Sequence, residues 1–322
     1  MSRAGYAAAA GACAAGAARL AYSAMSRRPP GGPKAWSRTN HRGEPVTLLE
    51  GPAVAAGAIV GVLAQEVQAS LAAASGATGS SGSGWRCAAA MVLGGAGAAA
   101  FGAYDDLAGS GDRRGFRGHI GALRQGEVTT GAVKLGGIGL TGVVSAALAG
   151  GSPADVILNA GLVAGGANLL NLFDLRPGRA LKVAAASGAL LGAAGQDSVA
   201  APLGAGLALL PEDLGERAML GDAGANALGA MLGASAAGLS RPARIALLAG
   251  IAGLTAASEK VSFTKVIERT PALRWLDMLG RRPGHQVPAR AIPAQRQGTI
   301  RFAEAGTNAR SAENTDLTPP EE

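Results

Sequence analysis

Charge is in short supply in this 322-residue chain. Only 16% of its residues are Asp, Glu, Lys or Arg, against about 25% in an ordinary soluble domain. Too few charged side chains remain to coat an alanine-rich soluble helical protein, and that class is set aside. Aromatic residues are scarcer still, at 3%, so the apolar content comes from small and aliphatic side chains. The two cysteines, Cys13 and Cys87, both lie inside apolar runs, which argues against a disulfide framework and against a thiolate metal site. Three histidines, His41, His119 and His285, are scattered and show no ligand spacing.

What remains is 48% hydrophobic, with 51 glycines and a mean hydropathy of only +0.22. Ala and Gly add little hydropathy, so a span built from them scores weakly, yet they suit helices that approach closely in a bilayer. Apolar stretches long enough to cross a membrane number about nine. They fall near 4–25, 47–72, 86–103, 131–149, 154–173, 180–195, 198–211, 218–239 and 242–258. The first contains Arg19 and is followed by Met25-Ser26-Arg27-Arg28 without a cleavage context, so it reads as an anchor. The expected fold class is therefore all-α, a polytopic transmembrane bundle.

Lys and Arg set the orientation. With the N-terminus outside and the C-terminus cytoplasmic, only Arg3, Arg19, Arg86, Arg241 and Arg244 of the 29 basic residues fall away from cytoplasmic segments. The net charge of +7 and the pI near 10.0 are thereby explained as positive-inside bias, and nucleic acid is not an expected partner. The reading is a multi-pass protein of the inner (plasma) membrane. Ser75–Gly84 has the composition of a flexible outer linker. Residues 1–258 form the transmembrane domain. In 259–280 an apolar stripe of Phe263, Val266, Ile267, Leu273, Leu276 and Leu279 is broken at Pro271, with Thr270 as cap. That predicts two short interfacial amphipathic helices. The Pro-, Gln-, Ala- and Glu-rich remainder, 281–322, is expected to be a disordered cytoplasmic tail.

Acidic residues beside membrane spans are rare and costly, which makes them functional candidates. Three acidic motifs occur on the expected cytoplasmic side: Tyr104-Asp105-Asp106-Leu107, then Asn168-Leu-Leu-Asn171-Leu-Phe-Asp174, then Gly221-Asp222-Ala-Gly224. Taken singly, each has a plain structural role open to it. The Asp pair can end a helix at water, the i, i+3, i+6 face of Asn168, Asn171 and Asp174 can bond between spans, and Gly221-Asp222 can cap a helix. Taken together, four carboxylates from three segments can form one oxygen-ligand site. Such a site suits Mg²⁺, which takes one or two carboxylates together with substrate phosphate.

In that order and spacing the motifs resemble the polyprenyl-phosphate N-acetylhexosamine-1-phosphate transferases, the family of phospho-N-acetylmuramoyl-pentapeptide transferase, over residues 45–260 or so. The family has a D-D pair after an apolar span, then N-x-x-N-x-x-D-G-x-D-G, then G-D-x-G-S. The resemblance implies Mg²⁺-dependent transfer of a sugar-1-phosphate from a nucleotide-sugar to a polyprenyl phosphate lipid at the cytoplasmic face, in cell-envelope glycan synthesis. It implies Asp222 as metal ligand, with Asp106 beside it, and Asp105, Asp106 and Lys134 as catalytic residues. Asn168, Asn171 and Asp174 would orient the donor. Apart from the resemblance, the insert Arg113–His119 is basic, so that Arg117 and His119 are candidates to bind phosphate, with ordinary positive-inside charge as the alternative. A homodimer is a candidate assembly.

The chain also departs from that pattern. Leu175 stands where the family has Gly, Pro177 where it has a second Asp, Ala225 where it has Ser, and no His-rich loop precedes the C-terminal helices. Those departures define the alternative reading, a homologue that keeps the fold and the lipid-phosphate groove but serves as a binding or scaffold protein in envelope assembly.

Overall fold

The computed structural model describes residues 2–75, 83–108 and 129–283. The insert carrying Arg117 and His119, most of the glycine–serine linker and nearly all of the C-terminal tail lie outside the described residues.

Small and aliphatic residues without β-branched runs give a mostly helical chain. In order these are α1 (Arg3–Arg27), α2 (Pro33–Trp36), α3 (Glu50–Ala74), α4 (Ser83–Ala108), α5 (Thr130–Ala149) and α6 (Pro153–Phe173). Then follow α7 (Arg179–Ala193), α8 (Ala200–Leu214), α9 (Gly221–Ser235), α10 (Arg241–Ser258), α11 (Phe263–Arg269) and α12 (Pro271–Met278). The starts are written locally. Ser2, Thr129, Ser152 and Ser262 each accept a backbone N–H of the first turn through the side chain, and Pro153 opens α6 where a missing donor costs nothing.

The all-α expectation needs one correction. Between α2 and α3, β1 (Ser37–Thr39) pairs antiparallel with β2 (Pro45–Thr47), in register Ser37↔Thr47, Arg38↔Val46 and Thr39↔Pro45. Three residues per strand are too few to show alternation in sequence. The turn is closed by Asn40, whose side-chain oxygen accepts the N–H groups of Arg42 and Glu44, both at 2.9 Å. Thr47 then pairs alongside Ala218, donating its N–H to the Arg217 carbonyl and accepting that of Met219, which a local reading of the chain does not reveal.

Each expected span coincides with a helix, but the helices are not alike. Four are long and apolar enough to cross a bilayer, namely α3, α4, α5 and α6. A fifth is added only if α10 and α11, which bend by 93° between them, count as one. Helices α7, α8 and α9 have 15 residues each, about 22 Å of helix against a hydrocarbon core of about 30 Å. A 3₁₀ turn, Asp197–Val199, joins α7 to α8, and a second, Ala236–Gly238, follows α9.

Helix α9 is the centre. Every residue from Ala223 to Gly233 is buried, enclosed by α3, α4 and α6. Around it the helices touch through small residues. On α1, Ala10, Ala14 and Ala18 recur every fourth position and are fully buried against α3 and α8. A methyl at Gly57 of α3 would come within 2.6 Å of the Ala18 Cβ, so the α1–α3 approach requires glycine there. The bundle's outer surface leaves Leu140, Val143, Ile157, Leu190 and Ile245 exposed, the pattern of helices facing lipid.

The 259–280 segment does form two short helices, broken at Thr270–Pro271. Thr270 sits at the cap position of α12, but its hydroxyl donates back to the Val266 carbonyl at 2.9 Å and does not receive an N–H.

Candidate active site

The first turn of a helix leaves backbone N–H groups without intrahelical partners and carries a partial positive charge. In α9 that turn is met by carboxylates from two other helices. Asp106, in the last turn of α4, accepts the N–H of Asp222 at 3.1 Å through one oxygen and that of Ala223 at 2.9 Å through the other. Asp174, immediately after α6, accepts the N–H of Gly221. Gly221 has φ +63, and a Cβ there would press on the Asp106 carboxylate at 3.1 Å, so glycine is what allows the loop to turn into α9 this close to α4.

Lys134, in the first turn or so of α5, closes the group. Its Nζ lies 2.8 Å from Asp105 Oδ2 and is also paired with Asp222 Oδ2. Asp105 is further held by a hydrogen bond with Thr130. The guanidinium of Arg38, on β1, donates to the backbone carbonyl of Asp106. Asp105, Asp106, Lys134 and Asp222, four of the residues singled out in the sequence, therefore form one cluster, assembled from α4, α5 and α9.

The other candidates divide. Asn168 and Asn171 line a cleft of about 750 Å³ together with Lys134, Thr255, Glu259 and Lys260. Asn168 Nδ2 reaches Thr255 Oγ1 at 3.4 Å across the cleft wall. Lys134 thus belongs both to the carboxylate cluster and to the cleft. Asp174 turns the other way, toward a cavity of about 70 Å³ shared with His41, Arg176, Asp213 and Glu216. Burial, followed by the negative charges of Asp213, Asp222 and Asp106, holds the Asp174 carboxyl well above the usual carboxylate range; only the Gly221 N–H opposes them. The His41 imidazole is lowered from its ordinary value, by burial first and then by the cations Arg176, Arg281 and Arg42, against the pull of Glu216.

A divalent cation can be tested against this donor set. Asp105 and Asp222 already share one cation, the Lys134 ammonium. Asp106 has both oxygens engaged with N–H groups but keeps a second lone pair on each. Among the described residues no three His, Cys, Asp or Glu side chains converge to hold a metal ion. The residues thus fit an ion that takes one or two carboxylates and fills its remaining positions with water and phosphate oxygens, the habit of Mg²⁺. They do not form an all-protein cage.

Several neighbours escaped the motif reading. Glu50, at the start of α3, is fully buried and its carboxyl oxygens have no hydrogen-bond partner among the described residues. Asp213 is 3% exposed, accepts the Gly178 N–H, and leaves Oδ2 unpaired. Glu50 was detectable by the criterion that exposes Asp105, since it stands inside an apolar run. Asp213 lacked such a signal, because Pro211-Glu212-Asp213 reads as a polar loop while the chain continues as helix to Leu214. No family model matches the chain, and no curated protein matches it.

Proposed function

We propose that this protein transfers a sugar-1-phosphate from a nucleotide-sugar to a polyprenyl phosphate at the cytoplasmic face of the inner membrane, in cell-envelope glycan synthesis. The observation that carries the reading is the convergence of Asp105, Asp222 and Lys134 at the edge of a 750 Å³ cleft lined by Asn168 and Asn171. In this reading nine helices, α1 and α3 to α10, cross or enter the membrane. The N-terminus is outside and the C-terminus cytoplasmic, and the short, buried α9 is shielded from lipid by its longer neighbours.

The reaction needs a nucleophilic phosphate oxygen, a positioned diphosphate and relief of charge on the leaving group. An oxygen of the lipid phosphate forms a new bond to the sugar-bearing phosphorus. The bond from that phosphorus to the bridging oxygen breaks, and the nucleoside monophosphate leaves with the electron pair. Asp105, half-buried beside the Lys134 ammonium and Thr130, is the carboxylate that takes a proton from the lipid phosphate. Lys134 moves from its two carboxylates to the incoming phosphate, which offers it equivalent oxygens. Asn168 and Asn171 orient the donor within the cleft. Asp174 fixes the α6 end to α9, acting on the donor side through position. Asp222, with Asp106 beside it, would hold Mg²⁺, which when bound neutralises the diphosphate and stabilises the departing phosphate.

The test is an assay of purified full-length protein with polyprenyl phosphate and a panel of nucleotide-sugars, with and without Mg²⁺. Formation of lipid-linked sugar diphosphate with release of nucleoside monophosphate is the expected result. Polyprenyl phosphate binding without turnover of any donor would instead establish the scaffold reading, which the complete pairing of Lys134 with Asp105 and Asp222 favours.

A further inference from the structure

The α11–α12 unit has an uncovered face whose chemistry is specific. Helix α12 is oriented by a single buried residue, Asp277, which Arg179 Nε meets at 2.7 Å and Arg281 Nη1 at 2.8 Å. Lys182 caps the same end, donating to the carbonyls of Leu276 at 3.1 Å and Asp277 at 2.7 Å. Helix α11 is pinned by Phe263, whose ring stacks on Phe173 with centroids 5.1 Å apart. With the two helices fixed in this way, Trp275 and Leu279 lie on the side of α12 away from Asp277, 65% and 54% exposed. Val266, Leu273, Leu276 and Met278 are exposed as well.

We infer that α11–α12 docks on the anionic headgroup layer of the membrane that holds the bundle. The inference rests on the membrane-spanning reading of the bundle and is independent of the transfer reaction. Three observations select this occupant. The chain turns by 93° between α10 and α11, so a helix that leaves the bilayer along its normal is followed by one lying in the plane of its surface. An exposed tryptophan beside leucines is the composition of the headgroup–acyl boundary. The charge is complementary: Lys260, Lys265, Arg269 and Arg274 are all exposed, and none of their side chains makes an ion pair among the described residues. Exposed acids in the segment are limited to Glu259 and Glu268 among the described residues. A neutral protein groove would gain nothing from four unpaired cations around an apolar strip, whereas phosphatidylglycerol headgroups would.

The docking has a mechanical address. Arg179 and Gly178 directly follow the loop that carries Asp174, so the helix pair that meets the lipid is tied through Asp277 to the segment that holds the start of α9.

The experiment uses full-length protein with Cys13→Ser and Cys87→Ser in lipid nanodiscs, spin-labelled at Trp275→Cys or, as a second site, Leu279→Cys. Leu140→Cys on the exposed face of α5 serves as the bilayer control. In bilayers containing phosphatidylglycerol, both labels should relax more with oxygen than with a water-soluble nickel chelate. Replacing phosphatidylglycerol by phosphatidylcholine, or combining Lys265→Gln, Arg269→Gln and Arg274→Gln, should move the labels toward water. Labels that report water in every lipid overturn the inference. Protection from both reagents with spin–spin broadening overturns it too, in favour of a second copy of the chain. A Leu140→Cys label that reports water overturns the membrane-spanning reading itself, and the docking with it.

Discussion

Asp106 and Asp174 stand at the ends of different helices and share one ligand: the opening turn of α9. Asp174 holds the N–H of Gly221, and Asp106 holds those of Asp222 and Ala223. Two carboxylates thereby fix the backbone from which the Asp222 side chain departs.

The first prediction separates structure from chemistry at the Asp pair. Asp106→Ala removes an acceptor from two backbone donors and should cost about 1 kcal/mol, the scale of a lost helix cap. Asp106→Asn keeps one of the two acceptors but turns its amide NH2 toward the other backbone N–H, so it should lose part of that stability while staying folded. In the transfer assay, Asp105→Asn and Asp106→Asn should each lose at least about 10²-fold in rate. Complementation of a deletion strain by both variants at normal abundance would leave the scaffold reading in place of the enzyme.

Asp222 is held to its neighbours through its backbone N–H, while its side chain faces Lys134. Asp222→Asn should therefore leave the protein folded and inserted but abolish Mg²⁺-dependent transfer, because the charged ligand is lost. Thermal unfolding and turnover measured on the same preparation check both halves. Near-normal turnover defeats the metal assignment.

A third prediction concerns pH. The folded protein holds the Asp174 proton more tightly than the unfolded chain does, because burial and the nearby negative charges raise this carboxyl. Its contribution to stability is complete below the ordinary aspartate range and is lost as pH rises through the raised value. Asp174→Asn should flatten that decline, so the variant gains on the wild type from acid toward neutral pH. Unfolding temperatures in one detergent across that range measure the difference.

The Arg179–Asp277 pair carries the opposite sign. Burial alone would raise Asp277, but the hydrogen bond and charge of Arg179, with Arg281 and Lys182, more than offset it and leave the carboxyl below its usual value. Stability from this pair is present above the ordinary aspartate range and is lost as pH falls through the folded value. Both partners are buried, at 3% and 8% exposure. Asp277→Asn should cost roughly 3–5 kcal/mol, while Arg179→Met with Asp277→Leu should cost much less than the two single changes summed. A double-mutant cycle on unfolding free energies tests this.

Orientation is open to labelling. In a Cys13→Ser, Cys87→Ser background, Ser75→Cys should react with an impermeant thiol reagent on intact cells and Arg176→Cys should not. Reaction of Arg176→Cys from outside would reverse the bundle and separate the site from cytoplasmic nucleotide-sugars.

The helices were legible because their signal is local. Alternating tracts of Ala, Gly and Leu, with Ser152-Pro153 or Thr129 at their starts, place every major helix of the bundle. Asp105, Asp106, Lys134 and Asp222 were legible as costly ions next to apolar runs. Their mutual geometry was not, because it depends on how three helices approach, and glycine positions such as Gly102 and Gly221 set that approach without any mark in hydropathy. The hairpin around Asn40 stayed hidden for a related reason. Its strands are held by Met219 and Arg217, far along the chain. Likewise Asn171 and Asp174, which share a helix face in the sequence, part at the α6 terminus, where the chain leaves helical geometry at Asp174 with ψ 51.

Helix α9 has no surface to offer a bilayer. It is short, is buried from Ala223 to Gly233, and carries Asn226, whose amide is 1% exposed and finds no hydrogen-bond partner among the described residues. During synthesis the helices that surround it, α3, α4 and α6, all emerge before it, and each except its partner faces is apolar enough to rest in lipid alone. The chain order thus builds the walls first and delivers α9 into the slot they enclose. Circular permutation that placed α9 early would present the translocon with a segment that falls short of its neighbours in length and apolarity.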